Sequence, residues 1–563
     1  MSAGPEVATA PRAQPSPAEA IGGDAPKMFA LAALVNLEPP APVASVSYLS
    51  RGNLLVIAGS QSERARRAAV RLSANLQVTL LDRDRSVLDG VPVWAGRLEA
   101  LTGFLGQFDA TIAELRTPEG PVAGGAPARF DLVLDFAEHT AMSMRDPPQG
   151  YFRAPGDDAA LDAVLAELAD CVGEFEKPRY FAYRESICAH SRSGITGCNA
   201  CIEICSTAAI SADGDHVKVD PHLCMGCGAC ATVCPSGAMS YQFPRVAERG
   251  AQLKQLAHAY RNAGGKDACI VFHETQAAEL CDGLPARALP LEAWHVAAIG
   301  LDLLLPAIAF GAAQVVVLAT GRRDAQYLAA LRSQMALGEA ILDGLGLGGK
   351  RFALIEADDA PALERAFAAL DPAPPAIATA ATFLLSNDKR TAIEFAVEHL
   401  ARHAPRRVDE IALPAGAPFG EVRVDRDKCT MCMACVGACP ESALMDGVDQ
   451  PLLKFLERNC VQCGLCEATC PEDAIRLSPR LVLTPAAREA RVVNETQPFN
   501  CVRCGKPFGT RQMVQAMLGR LTGHSMFTQG SALARLQMCA DCRVVDMMSD
   551  KDEVSVLRLG GKG

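Results

Sequence analysis

Cysteine is the residue type best placed to do chemistry in this sequence, and its spacing says which chemistry. Cys429-x2-Cys432-x2-Cys435-x3-Cys439-Pro440 is followed by the same run again, Cys460-x2-Cys463-x2-Cys466-x3-Cys470-Pro471. Three thiolates on one tight loop can reach three corners of a cuboidal iron–sulfur cluster, while the fourth points away toward a neighbouring one. The spacing therefore predicts two [4Fe–4S] clusters with exchanged fourth ligands. Cys429, Cys432, Cys435 and Cys470 would hold one, and Cys460, Cys463, Cys466 and Cys439 the other. Each run ends in a related tail, Pro-Glu-Ser-Ala-Leu and Pro-Glu-Asp-Ala-Ile. Zinc on the same thiolates is the competing reading, but it would need neither the prolines nor the doubled symmetry.

A second region repeats the theme less regularly. Cys224-x2-Cys227-x2-Cys230-x3-Cys234-Pro235 is complete, but its companion reads Cys188-x9-Cys198-x2-Cys201-x3-Cys205-Ser206. The first gap has grown from two residues to nine, and a serine stands where the proline would be. By the same exchange, Cys188, Cys198, Cys201 and Cys234 would hold one cluster, and Cys224, Cys227, Cys230 and Cys205 another. The lengthened loop could displace Cys188, which would leave a three-cysteine [3Fe–4S] site. Four thiolates make a cluster site net negative, so neighbouring backbone N–H groups should tune its potential. Further on, Cys501-x2-Cys504-Gly505 and Cys539-x2-Cys542 form two knuckles with no third cysteine close by. That pattern fits a closed tetrahedral structural zinc site, which would supply folding energy to a small polar domain. A [2Fe–2S] or fifth cluster is the alternative, because the gap between the knuckles is long for a zinc ribbon.

On these motifs residues 188–240 and 429–477 resemble the two-cluster bacterial ferredoxin family. The resemblance implies two compact β–α–β repeats, each with two clusters in electron-transfer range, hence four [4Fe–4S] clusters in all. Residues 267–356 are similar to the small iron–sulfur (delta) subunit family that accompanies hydrogenases and heterodisulfide reductases. The likeness lies in Ala268-Cys-Ile-Val-Phe, in Phe310-Gly-Ala-Ala-Gln-Val-Val-Val-Leu-Ala and in the long helix before Gly346. Where that family carries clustered cysteines after the first strand, this chain has His273-Glu-Thr-Gln, with only Cys269 and Cys281 nearby. A docking or spacing role is implied there. The general arrangement, with Phe175-Glu-Lys-Pro-Arg-Tyr-Phe-Ala-Tyr before the first cysteines, resembles a family of proteobacterial cytoplasmic 4Fe–4S proteins that often accompany formate dehydrogenases. It implies an electron carrier with redox-protein partners, a formate dehydrogenase among them.

The elements that must position the cysteines alternate with them. Strands at 53–58, 77–82 and 130–135 with helices at 61–75 and 157–172 form a β–α–β layer. Strands at 268–272, 315–318 and 352–355, a helix at 325–345 and two later helices form another. The expected fold is α/β plus α+β, with two doubly wound-type domains (28–174 and 250–405) alternating with two ferredoxin-like modules (175–245 and 418–480). A disordered Pro/Ala-rich tail (1–27) would open the chain and a small zinc-ribbon-like domain (485–563) would close it. The apolar stretch 296–320 is divided by Pro306 and Gly311, so it reads as a buried helix and strand rather than a membrane span.

Several functions are excluded or left as rivals. The chain of 563 residues has a formal charge of −11 and only 2 Trp and 7 Tyr, with no basic block, which argues against nucleic acid. The opening residues lack a basic apolar leader or twin arginines, and thiolate ligands suit a reducing compartment, so a cytoplasmic protein without membrane insertion is expected. Gly59-Ser60-Gln61-Ser62-Glu63 offers one glycine where a dinucleotide fingerprint needs three, and Glu63 brings negative charge to the phosphate position. A degenerate scaffold is expected there; the rival is a flavin- or NAD(P)-linked oxidoreductase subunit. A metalloenzyme maturation factor is the other rival. No G-x-S-x-G, P-loop or H-E-x-x-H is present, and His190, His273 and His295 have no partner set. Lone Cys171, Cys269 and Cys281 are expected as small buried hydrophobes.

Overall fold

A computed structural model describes residues 24–549 apart from 85, 123–126, 143, 322, 449, 525, 526, 528 and 529. Residues 1–23 of the expected tail lie outside the described residues. Its last residues instead open helix α1 (Ala25–Leu34), with Pro26 in the first turn, where a missing N–H costs nothing. Ala30 is fully buried in the core of the middle domain, and Lys27 Nζ donates to the Leu284 carbonyl at 3.0 Å. Helix α1 thus belongs to a domain that is completed more than two hundred residues later, not to the domain that follows it.

In the first α/β domain strand Asn53–Ile57 lies between Gln77–Leu81 and Leu132–Asp135, all parallel, with Tyr151–Arg153 beyond. Helices α2 (Ser62–Leu72) and α3 (Asp158–Asp170) cover one face through Ala65, Ala69, Leu161, Leu165 and Leu168. Among the described residues the other face carries no helix. It is covered by a long hairpin, Val93–Phe104 against Gln107–Thr117, whose Leu101, Phe108 and Ile112 pack on Leu55, Ile57 and Val133. The expectation of a doubly wound sheet is therefore corrected for this domain. Two register shifts in the hairpin, at Ala95/Arg97 and Leu98/Ala100, break the period-two alternation that would have marked it in the sequence. Strand Gly173–Pro178 pairs with Ser45–Ser50, so this domain keeps the residues that the sequence reading gave to the start of the first module.

The first ferredoxin-type module closes Phe181–Tyr183 onto Met239–Tyr241, with short helices α4 (Ala200–Ile204) and α5 (Ala229–Val233) and a hairpin, Ile210–Asp213 with His216–Val219. Helix α6 (Val246–Asn262) then leads into the middle domain. Four parallel strands stand in the order Ala288–Glu292, Cys269–His273, Gln314–Ala319, Phe352–Glu356. Helices α7 (Leu301–Ala309) and α8 (Ala325–Gly344) share one face with α1 and α6, and α9 (Ala360–Ala368) covers the other. Helix α10 (Lys389–Arg402) returns to the first face. This sheet is covered on both sides, as expected. The apolar stretch 296–320 divides into α7 and the strand Gln314–Ala319, every residue of both being buried. Among the described residues no helix is long and apolar enough to cross a membrane.

The second module repeats the first: Gly420–Val424 pairs with Ile475–Val482, around α11 (Ala434–Ala438) and α12 (Leu465–Thr469). Its hairpin, Leu444–Asp446 with Leu452–Phe455, gains a third strand from Arg491–Glu495, so the module reaches past the expected boundary. The closing domain has a hairpin (Pro498–Asn500 with Pro507–Thr510) and helices α13 (Arg511–Leu521), α14 (Gly530–Arg535) and α15 (Ala540–Ser549). Its first cysteine pair sits on the hairpin but the second opens α15, which differs from the two hairpins of a zinc ribbon.

Because Ala30 is sealed inside the middle domain's core, Ala30→Glu should destabilise that domain by on the order of 3 kcal/mol. A lowered urea midpoint for the full chain, read by circular dichroism, is the expected result.

Candidate metal centres

The second module's loops are wound tightly enough to turn three cysteines inward. Met431, Met433, Gln462 and Gly464 all hold positive φ, between 53 and 84°. Cys429, Cys432 and Cys435 line one cavity with Met431, Leu453 and Ile475, and the fourth cysteine lining it is Cys470. Cys460, Cys463 and Cys466 line a second cavity together with Cys439, between Val422, Leu444 and Leu477. The fourth cysteine of each run thus lies in the other run's cavity.

The electrostatics fit a metal cluster. Burial, then the neighbouring Cys429, Cys432 and Cys470, pushes the Cys435 thiol up to about 12. Burial likewise pushes Cys463 up to about 11 and raises Cys466 strongly. Thiols packed this closely in an apolar wall hold protons unless a metal supplies positive charge, which deprotonates a coordinating thiol outright. Donors already point at the sulfurs: the Ala443 N–H reaches Cys439 Sγ at 3.2 Å, the Ala474 N–H Cys470 Sγ at 3.4 Å, and Gln462 Nε2 Cys460 Sγ at 3.2 Å.

In the first module Cys205, Cys224, Cys227 and Cys230 line a cavity walled by Tyr180, Phe181, Ile204 and Tyr327. The long gap after Cys188 is taken up by a small hairpin, Ser191–Arg192 with Ile195–Thr196, turning at Ser193 and Gly194 in left-handed conformations. At its base the Cys198 N–H donates to the Ala189 carbonyl at 2.8 Å and the Gly197 N–H to the His190 carbonyl at 2.7 Å. The insertion therefore loops out and returns, leaving Cys188 buried in one apolar cluster with Cys234 and Cys201. Burial, then the charges of Cys234, Cys198 and Cys188, pushes the Cys201 thiol up to about 12. Cys198 is raised by burial and by Cys234 and Cys188 in the same way. Cys188 thus lies near Cys198 and Cys201, close enough for its charge to be felt by both. Ser206, where a proline was expected, has its hydroxyl 2.5 Å from the Tyr327 hydroxyl on α8, a contact that a proline could not make.

Three cations escaped the sequence reading. Lys177 Nζ donates to the carbonyls of His222 and Cys224 at 2.7 and 2.8 Å. Lys389 Nζ donates to those of Ala231, Thr232 and Cys234 at 2.8, 2.6 and 3.0 Å. Arg390 donates to the carbonyls of Pro418, Arg458 and Cys460 at 2.7, 2.8 and 3.2 Å. The one sequence signal was the placement of Lys389 and Arg390 in a helix's first turn, where the helix dipole opposes cations.

The closing domain brings the ligand atoms of Cys501, Cys504, Cys539 and Cys542 within 4.8 Å of one another, a spacing that one tetrahedral ion could bridge. The domain sits against the second module, where Thr510 Oγ1 donates to the Thr430 carbonyl at 3.0 Å and Arg520 pairs with Glu472.

Elsewhere the tempting groups are already engaged. A Cβ on Gly59 would lie 2.4 Å from Ala137 Cα, and Gln61 Nε2 donates to the Phe136 carbonyl at 3.0 Å, so the head of α2 is closed by the next loop. Asp82, where a ribose would bind, instead accepts from Ser62 Oγ at 2.5 Å and pairs with Arg66 at 2.9 Å. Glu274, in the stretch that replaces the delta-family cysteines, pairs with Arg323 at 2.6 Å and accepts from the Val296 N–H at 3.1 Å. The His190 and His273 rings each bond a backbone carbonyl, and the His295 ring accepts from the Ala297 N–H. Cys269 and Cys281 are buried, Cys171 half-buried, and burial raises all three thiols to about 11 or 12.

Among known families, residues 196–238 and 428–475 each match the 4Fe-4S dicluster domain. The first match begins inside the inserted hairpin, after Cys188. No curated protein matches the chain. These two matches, falling on the two cysteine-lined modules, identify an iron–sulfur protein that carries two 4Fe–4S dicluster ferredoxin domains.

Proposed function

We propose that the chain relays electrons through four [4Fe–4S] clusters, two in each module. The ligand sets are Cys205/Cys224/Cys227/Cys230, Cys188/Cys198/Cys201/Cys234, Cys439/Cys460/Cys463/Cys466 and Cys429/Cys432/Cys435/Cys470. The observation that carries this reading is the exchange of fourth cysteines between the paired cavities. When bound, each cluster takes up or gives back one electron without making or breaking a bond to substrate. The chain's own part is to hold the thiolates, to aim N–H groups at their sulfurs and to keep water off them with Tyr180, Phe181, Leu453 and Leu444. Redox proteins are the partners, and the resemblance of the arrangement names a formate dehydrogenase system as the candidate. The delta-like middle domain serves as scaffold and docking face, and the closing four-cysteine domain holds a structural zinc.

The rivals are less well supported. A flavin or nicotinamide would need the helix N-terminus at Ser62, and that end is closed by Ala137 and Phe136. A maturation factor would present loosely held, exposed ligands, whereas of the cysteines in the four sets only Cys432 is exposed.

Anaerobically purified protein should contain about sixteen irons with matching acid-labile sulfide, and show coupled [4Fe–4S] signals in EPR after dithionite reduction. About eight irons would confine the relay to the second module and overturn the four-cluster reading. In Cys432→Ser about four irons, the visible charge-transfer absorbance that belongs to them, and electron transfer should be lost together. Retention of all three would refute the assignment of that set. Cys504→Ser should release one zinc and leave the iron unchanged; a loss of about two irons instead would identify a [2Fe–2S] centre there.

A further inference from the structure

We infer that the two modules are wired into one linear series through a single junction, where Cys198 of the first faces Cys463 of the second across Leu465, bracketed by Lys389 and Arg390. The inference rests on the relay reading and adds the order of its sites.

The junction is a buried apolar patch. Ala189, Ala438 and fully buried Leu465 pack together, with Ile195, Cys198 and Cys463 against them. Gly197 lies so close that a Cβ there would be 2.8 Å from Leu465 Cγ, so only glycine admits this approach. Ile195 and Gly197 belong to the segment inserted after Cys188. The insertion therefore does two things at once: it returns Cys188 to its set and it builds the face that meets the second module.

The bracket comes from two consecutive residues of the middle domain. Lys389 holds the carbonyl of Cys234, and Arg390 that of Cys460. Cys234 belongs to the set of Cys198, and Cys460 to the set of Cys463. One helical turn thus spans the joint, holding a ligand carbonyl of the inner set in each module, together with Ala231 and Thr232 just before Cys234. The outer sets face away. Cys227 and Cys230 pack with Ile204 and Tyr327, toward α8, and Cys429 and Cys432 lie beside Thr430, which anchors the closing domain.

The order is therefore Cys205/Cys224/Cys227/Cys230, then Cys188/Cys198/Cys201/Cys234, then Cys439/Cys460/Cys463/Cys466, then Cys429/Cys432/Cys435/Cys470. Each hop moves one electron, oxidising one site and reducing its neighbour. The electron enters from a one-electron redox protein and leaves to another. Reduction adds negative charge, so the cations of the bracket and the helix N-terminus behind them favour the reduced form of the two inner sites.

The test is potentiometric EPR of the full-length protein. Lys389→Met and Arg390→Met should keep about sixteen irons and move the inner signals to more negative potential, leaving the outer ones in place. An equal shift of all four signals, or none, would overturn the bracket. Independently, Cys227→Ser combined with Cys432→Ser should leave about eight irons whose reduced spectrum is split by coupling across the junction. Two uncoupled spectra from that variant would overturn the junction while the relay stands. Only about eight irons in the unaltered protein would remove the relay and the series together. Should the double cysteine variant fail to fold, the methionine variants decide the question in otherwise intact protein.

Discussion

Two adjacent cations, Lys389 and Arg390, stand in the first turn of α10, at the end of a helix where its dipole repels positive charge. Such a placement persists only where something outside the helix repays it, and here that is a set of six backbone carbonyls, three per side chain. Three of the six belong to the turn at α5 that ends in Cys234 and three to the segments around Cys460. The neighbouring Asp388 caps the same helix by accepting from the Thr391 N–H and pairs with Arg184 of the first module. The middle domain therefore grips both cysteine modules through consecutive residues of one helix end, and Glu394 on the same helix pairs with Arg458 and Arg488 of the second module.

The same charge logic applies at the sheet ends of the two α/β domains. Each retains a parallel sheet with its loops at the carboxyl ends, the place where such folds bind ligands. In the first, Asp82 is taken by Ser62 and Arg66, and the head of α2 is blocked by Ala137. In the middle one, Glu274 is paired with Arg323 and with the Val296 N–H. A buried carboxylate paired in this way is costly to free, because the partner would be left charged and desolvated. Internal pairs occupy both positions, and the domains contribute surfaces: Lys177 and Tyr48 of the first hold the His222 carbonyl, and Tyr327 of the middle one meets Ser206.

How much of this the sequence disclosed follows from how local each feature is. The second module was legible because its cysteines sit on tight loops at a fixed spacing. Cys188 was not, since its return depends on a hairpin with two residues in each strand, marked only by Ser193 and Gly194. The strand–helix alternation was readable wherever strands are buried on both faces, as at 268–272 and 315–318. It failed at 93–117, where bulges interrupt the alternation, and at α1, whose destination is a core assembled far along the chain. Lys389 and Arg390 were invisible for a related reason. A side chain that bonds distant carbonyls leaves no pattern in its own neighbourhood beyond a mild conflict with helix polarity.

The two ends of the molecule differ in a way that bears on direction. Cys227 and Cys230 are packed with Tyr327 and Ala297, and Lys177 and Arg145 of the first domain fasten the carbonyls of Cys224, Glu203 and Ile204 on the outer side. Access to that end lies through the domains around it. At the other end Cys432 is exposed, and the closing domain is anchored beside it through Thr510 and Arg520. Tunnelling weakens steeply with distance, so a protein partner exchanges electrons where a ligand reaches the surface. On the relay reading Cys432 is that place. The closing four-cysteine domain, docked at Thr430 and Glu472, stands beside that exposed ligand.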